Sequence, residues 1–279
     1  MTSPRIGLAL GGGAARGIAH IPMLEAFDEL GVKPARIAGT SFGALVGAAY
    51  ASGISAAEIR EHTIEVLGNR IDAARRLFEG AGPRVWDLFD FGGVDKVRID
   101  GVVLTDLVLP DATASAVNKT QIPLSIIASD MTAQEEVVIT SGDMHAAVAA
   151  SIGLPGIIRA PKFDGRTLVD GALTNPVPFD RVDKGTDLIV AIDVIGGRVP
   201  EEDTETASNM TLAFRALYVM QHQIAELRRR EVDPAILIRP DIDRFRAGEF
   251  FKVREILAAA RPAKDELLRT LEAALEERA

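Results

Sequence analysis

The chain has no cysteine among its 279 residues, which excludes disulfide staples, thiolate catalysis and cysteine-ligated zinc together. It also lacks a basic surplus: 31 Lys and Arg against 40 Asp and Glu leave a net charge of −9. Attraction to nucleic acid or to an anionic membrane needs the opposite balance, so no nucleic-acid partner is expected and a neutral or small substrate fits better. The four histidines are scattered, with no HExxH spacing, so no metal and no cofactor is expected. Only a short apolar run precedes the glycines at 11–13, too little for a signal peptide, which makes the cytoplasm the expected location. From Ile37 to Ala57 no charge occurs, a length that on count alone suggests a membrane span. Its glycines and serines, and the natural break at Ser41, argue instead for a strand followed by a helix. No internal repeat, low-complexity tract or linker is visible.

What is present reads as a globular protein, 47% hydrophobic and 25% charged, expected to form one domain over 1–279 with a helical tail from about 253 to 279. Short apolar runs alternate with helical-period stretches, the signature of an α/β fold with a mainly parallel central sheet. "RIGLAL", "RIAG", "IPLSIIASD", "EEVVIT", "DLIVAIDV" and "AILIRP" read as strands. "HIPMLEAFDEL" reads as a helix whose Ile21, Leu24, Phe27 and Leu30 share a face and which Gly31 closes. A second helix follows Ser41, and a third opens on Ser55 with Glu58 at the capping-box spacing. Residues 199–209 are polar and turn-rich, hence a loop. The tail places Ile256, Leu257, Leu267, Leu268, Leu271 and Leu275 at helical spacing, interrupted by Pro262.

Three stretches carry chemistry. Gly39-Thr40-Ser41-Phe42-Gly43 fits G-x-S-x-G, in which a sharp strand-to-helix turn exposes the serine hydroxyl and the glycines permit close backbone approach. A serine at that junction is also an ordinary helix cap. Gly11-Gly12-Gly13-Ala14-Ala15-Arg16-Gly17 follows the first strand and presents unblocked amides to an anion. The dinucleotide and P-loop patterns both fail there, which leaves an oxyanion hole or a plain tight turn. Leu168-Val169-Asp170-Gly171 ends a short apolar strand on an acid, although Asp-Gly is a common turn. Among the histidines only His222 follows Asp170 in the chain, as the α/β-hydrolase triad order requires, and it sits in a long helix without a loop to aim it.

Together, "GLALGGGAARGIAHIPMLEAFDELG", "AGTSFGALVGAAYASG" and "AVAASIGLPGIIRAPKFDGRTLVDGALTNPVP" resemble the patatin-like phospholipase family over most of the chain. The resemblance implies a three-layer α/β/α fold and a Ser-Asp dyad, with Ser41 as nucleophile and Asp170 as its partner. It also implies an oxyanion hole from the amides of Gly12, Gly13 and Ala14, supported by Gly11, Arg16, Gly17, Gly39, Gly43 and Gly171. One departure stands out. Aligned on Arg16-Gly17, the plant-type pattern has glycine where this chain has Ala14; alanine still supplies an N–H if its backbone needs no positive φ.

Read this way, Asp170 takes the Ser41 proton during attack on an ester, so the site should raise the proton affinity of Asp170 by desolvation or by coupling to Ser41. Arg16 either lends positive charge to an oxyanion or substrate phosphate or pairs with a carboxylate to hold the loop, the second being favoured. Phe78, Trp86, Phe89 and Phe91 form either core or a lid over 78–91 that dips into a lipid interface. The partners implied are an acyl-ester or lipid substrate and a transient contact with a membrane surface, peripheral rather than spanning; oligomeric state is not readable. The competing readings are a Ser-His-Asp hydrolase using His222 and a non-catalytic regulatory module.

Overall fold

The computed structural model describes residues 4–68, 99–155, 157–195 and 209–278. The aromatic group Phe78, Trp86, Phe89 and Phe91 lies outside them, as does most of the 199–209 stretch.

Strand β1 (Ile6–Leu10) leads through a tight turn of helix at Ala14–Ala19 into α1 (His20–Glu29). Then come β2 (Arg36–Thr40), α2 (Phe42–Ala51) and α3 (Ala56–Leu67), the last opened by the Ser55–Glu58 capping box. The uncharged run from Ile37 thus resolves into a strand and a helix broken at Ser41. After β3 (Ile99–Asp100) and α4 (Gly101–Val108) the chain forms β4 (Leu124–Asp130), β5 (Glu135–Ile139) and α5 (Met144–Ser151). Three more strands follow: β6 (Ile158–Arg159), β7 (Lys162–Phe163) and β8 (Arg166–Asp170). The remainder comprises β9 (Leu188–Ile192), α6 (Asn209–Arg229), β10 (Ile236–Ile238), α7 (Val253–Ala259) and α8 (Arg261–Glu276).

This is an α/β fold with a mainly parallel central sheet. Strands β10, β9, β1, β2 and β4 run parallel in that order. Side-chain alternation along them builds two cores. Ile6, Leu8 and Leu10 of β1, with Leu188, Val190 and Ile192 of β9, enter a large core beneath α1, α2 and the tail. Ala9, Ala38 and Ala191 on the opposite face meet Val177, Phe179, Val182 and Ala225 in a smaller one. Ala225 belongs to α6, which is clamped over that face where Arg228 pairs with Asp180 at 2.7 Å and with Glu136 at 2.9 Å.

Beyond the parallel set, β5 and β8 both pair antiparallel with β4, on opposite edges of it. Ile127 pairs with Thr40 of β2 and, across its other edge, with Val138 of β5. One residue further, Ala128 still pairs with β5 through Val137, and Asp170 of β8 has replaced β2. Strands β2 and β8 therefore occupy the same edge of β4 and meet end to end. A two-residue turn at Asp164-Gly165, both with positive φ, folds β7 back onto β8.

The tail is two helices. The break falls at Ala260, and Pro262 lies in the first turn of α8, where its missing N–H leaves no bond unmade. Leu267 and Leu271 are fully buried in the large core, and Lys264 bridges to Glu29 at 2.5 Å. Leu267→Ala should therefore lower unfolding free energy by about 2–5 kcal/mol in urea titration. A loss below about 1 kcal/mol would mean the tail is not part of this core.

Candidate active site

At the end of β2 the backbone turns sharply. Ser41 has φ 54° and ψ −124°, a left-handed conformation that costs a non-glycine residue about 1–3 kcal/mol and persists only where surroundings enforce it. Ser41 occupies the cap position of α2, yet its hydroxyl bonds to no amide of that helix. The hydroxyl donates instead to Asp170 Oδ2 at 2.7 Å. The flanking glycines explain how the turn fits. A Cβ on Gly43 would stand 2.2 Å from the Leu10 carbonyl oxygen, and one on Gly39 would stand 2.6 Å from Ala44 Cα. Backbone pressed that closely leaves room for hydrogen alone.

Asp170 ends β8 at the position where that strand abuts β2. Its Oδ1 accepts the Ala172 amide at 2.8 Å, so both carboxylate oxygens have donors. Gly171 follows directly, and a Cβ there would meet the Ile127 oxygen at 2.2 Å, which keeps the turn tight against β4. Burial pushes the Asp170 carboxyl up to about 6, against the opposing pull of the hydrogen bonds from Ala172 and Ser41.

The glycine-rich loop lies beside this pair. Gly12 sits against Ser41: a Cβ there would lie 3.3 Å from Ser41 Cβ. Its amide, however, donates to the Pro176 carbonyl at 2.9 Å, and that of Gly11 to Ile192 at 3.0 Å. Of the three amides expected to face an oxyanion, Gly12 is thus already engaged. Gly13 and Ala14 donate to no acceptor among the described residues. Ala14 has φ 48°, so the condition under which alanine would be harmless there is not met, and the loop carries left-handed strain at that residue. Gly17 packs on the elbow, since a Cβ there would lie 2.6 Å from the Phe42 ring.

His20 anchors the loop from below. It is fully buried, burial lowers its pKa to about 4, and its neutral ring donates from Nε2 to the Gly11 carbonyl at 2.7 Å. Arg16 is buried at 4% exposure with its guanidinium 4.5 Å from the ring centroid of Tyr218 on α6. Its Nε and one terminal nitrogen have no hydrogen-bond partner, and no carboxylate among the described residues forms an ion pair with it. The favoured loop-holding ion pair is therefore absent there; an aromatic face takes its place.

The other histidines lie elsewhere. His62 bonds to the Val108 carbonyl at 3.0 Å, His145 stands 2.7 Å from Asp106, and His222 is beside Glu226 on α6. With Ser41 bonded directly to Asp170, no imidazole stands between them. Among the described residues no group of three His, Asp or Glu side chains gathers as a metal site. Sequence reading missed two residues of this site. Tyr218 had no motif to mark it, and Ser151, in the quoted stretch "AVAASIGLPG", accepts the Ser41 amide at 2.8 Å.

Comparison with known proteins identifies the family. The family model for patatin-like phospholipase matches residues 8–183, and the chain belongs to that family. It is 34% identical over 206 residues to an uncharacterized NTE family protein of Mycobacterium bovis, covering 73% of this chain and 53% of that one. It is 31% identical over 198 residues to neuropathy target esterase sws of Drosophila melanogaster, covering 70% of this chain and 13% of that protein. The chain thus spans about half the length of the mycobacterial relative. Among solved structures, VipD of Legionella pneumophila aligns with 96% of this chain and 67% of its own at 14% identity, with a TM-score of 0.49.

The geometry has a consequence for stability. The folded-state pKa of Asp170 lies above its ordinary 3.8, at about 6, so the folded protein holds the proton more tightly than the unfolded chain. Below about pH 4 both states are neutral at this residue and nothing is lost. As pH rises through about 6 the folded state must bury a charge, at a cost of up to about 3 kcal/mol. Asp170→Asn should therefore be more stable than wild type at pH 8 by about 1–3 kcal/mol, with the gain gone at pH 4. Urea titrations at the two pH values check it, and an equal difference at both would refute the assignment.

Proposed function

We propose that the chain is a serine acyl hydrolase that cleaves fatty-acyl esters of lipids through a Ser41–Asp170 dyad. The observation that carries this reading is the 2.7 Å hydrogen bond from Ser41 Oγ to a carboxylate whose pKa burial has raised to about 6. A carboxylate of ordinary pKa is too weak a base for a serine hydroxyl, and a raised one is better matched to neutral pH. Asp170 takes the hydroxyl proton as Oγ attacks the ester carbonyl, then gives it to the departing alcohol as the acyl-enzyme forms. Water, deprotonated by the same carboxylate, attacks the acyl-enzyme; the fatty acid leaves and Ser41 regains its proton.

Negative charge on the former carbonyl oxygen would be met by the amides of Gly13 and Ala14, narrowed from the three first expected. Donors fixed in a water-poor site do much of the work in such reactions. The amino terminus of α2 points at the same place and adds its dipole. Arg16, with unpartnered guanidinium nitrogens, adds positive potential and suits a substrate with a phosphate near the ester. The substrate would come from a membrane surface by transient contact. No helix among the described residues is long and apolar enough to cross a bilayer.

Hydrolysis of p-nitrophenyl butyrate tests the dyad. Ser41→Ala and Asp170→Asn should each lose at least 10³-fold in kcat while remaining folded, and His222→Ala should match wild type. The acid limb of the wild-type pH profile should lie near pH 6, since only the ionised carboxylate accepts a proton. Full activity in Asp170→Asn would defeat the dyad, and a comparable collapse in His222→Ala would favour a triad. Arg16→Ala should lose more against a lysophospholipid than against a monoacylglycerol; equal losses would remove the phosphate role.

A further inference from the structure

Ser151 is the last residue of α5 and is completely buried. Its hydroxyl donates to the Ile127 carbonyl at 2.5 Å and accepts the Ser41 N–H at 2.8 Å. Both partners stand where the sheet changes hands. Ile127 is the last residue of β4 paired with β2, and Ser41 is the first residue past β2, already turned away into the elbow. The hydroxyl fills the gap between them, as a side-chain splice in an interrupted ladder. Few side chains can do this, because one atom must accept and donate at once.

The same short segment holds the acid. Two residues on, the Gly153 carbonyl accepts the Asp170 amide at 3.0 Å. The end of α5 thus grips the backbone of both members of the proposed dyad, the serine through a side chain and the aspartate through a carbonyl. Ser41 needs such a grip more than most residues, because its left-handed conformation relaxes unless its neighbours hold it.

We infer that Ser151 is a positioning residue for the nucleophile, its hydroxyl tying the Ser41 amide to β4 and thereby fixing the backbone from which Ser41 Oγ reaches Asp170. This rests on the dyad reading above. Ser151 touches no substrate; its effect runs through Ser41. A small drift of the nucleophile is enough to lower turnover by about 10²-fold.

The test compares ester hydrolysis by wild type, Ser41→Ala, Ser151→Ala and Ser151→Cys, all checked for folding by circular dichroism. Ser151→Ala should lose about 10- to 100-fold in kcat with KM within about twofold, as expected of misplacement rather than lost substrate binding. Its inactivation by a fluorophosphonate, which reports on Ser41 alone, should slow in parallel. The acid limb of its pH profile should move above that of wild type, because the Ser41 hydrogen bond pulls the Asp170 carboxyl down and weakening it lets the carboxyl rise. A buried serine that only completes the packing would change stability and leave that limb in place. A kcat loss smaller than about fivefold in folded Ser151→Ala overturns the inference, as does an unmoved acid limb. Should Ser151→Ala fail to fold, Ser151→Cys decides on the same fivefold criterion, since its thiol nearly matches the hydroxyl in size but is a weak donor and acceptor. If Ser41→Ala keeps its activity the dyad reading itself has failed; loss of activity there with full activity in the Ser151 variants sinks the positioning role alone.

Discussion

The structure turns on one edge of β4. A strand edge can satisfy one partner at a time, and here it satisfies two in succession: β2 up to Ile127, then β8 from Ala128. Because β2 runs parallel to β4 and β8 antiparallel, it is their carboxyl ends that meet. The residue after the one is Ser41 and the last residue of the other is Asp170. Side chains separated by 128 intervening positions in the chain are brought within a hydrogen bond by sheet registry rather than by flexible loops. That is a rigid way to build a pair, since moving either residue would mean slipping a strand.

Around that junction the polar groups are arranged with little charge. His20 is held neutral by burial, so the support beneath the glycine-rich loop adds a donor without adding a cation. Asp170 keeps its proton to a higher pH than an ordinary aspartate, by the same physics working on an acid. Arg16 brings a permanent charge to the glycine-rich loop, laid on the Tyr218 ring rather than on a carboxylate among the described residues. Had Arg16 found an acidic partner, its field would have been largely cancelled. An aromatic face accommodates the guanidinium while leaving its positive potential available to the site.

Much of this was legible from the residues. The strands β1, β2, β4, β5, β9 and β10 and the helices α1 to α3 announced themselves by periodicity, the elbow by Gly39 and Gly43, and the acid by its place at the end of an apolar strand. The short β3, β6 and β7 and the helix α4 went unread. What escaped depends on partners distant in sequence. That Gly12 spends its amide on Pro176 could not be read from "GGGAARG", because Pro176 is remote and carries no motif. The same holds for Arg16, whose partner is an unremarked tyrosine in α6, and for Ser151, one serine among many. The β7–β8 hairpin was within reach: Asp164-Gly165 between "KF" and "RTLVD" is a strong turn signal that the eye passes over beside Asp170-Gly171. Pro262 reads as an interruption, and the break falls two residues before it at Ala260, with the proline in the first turn of the helix that follows.

Four described residues other than glycine have positive φ, and two of them, Ala14 and Ser41, lie in the glycine-rich loop and the elbow of this site. For Ser41 the reason is evident, since the strained turn is what lifts the hydroxyl out of the helix and aims it at Asp170. Ala14 needs a different account, because glycine would fit its backbone more easily. Glycine there would also let the loop fall into other conformations, at the point where the proposed oxyanion hole needs the Gly13 and Ala14 amides held in place. The loop is already pinned on both sides, by Gly11 and Gly12 on strand and turn carbonyls and by Ala15 on Ala247. An alanine between those pins accepts a modest strain in a segment with few alternatives to relax into, and its cost can be carried by the large core packed beneath α1 and α2. On the proposed reading, strain in both segments, each hemmed in by neighbouring hydrogen bonds, would keep the donors and the nucleophile aligned before any substrate arrives.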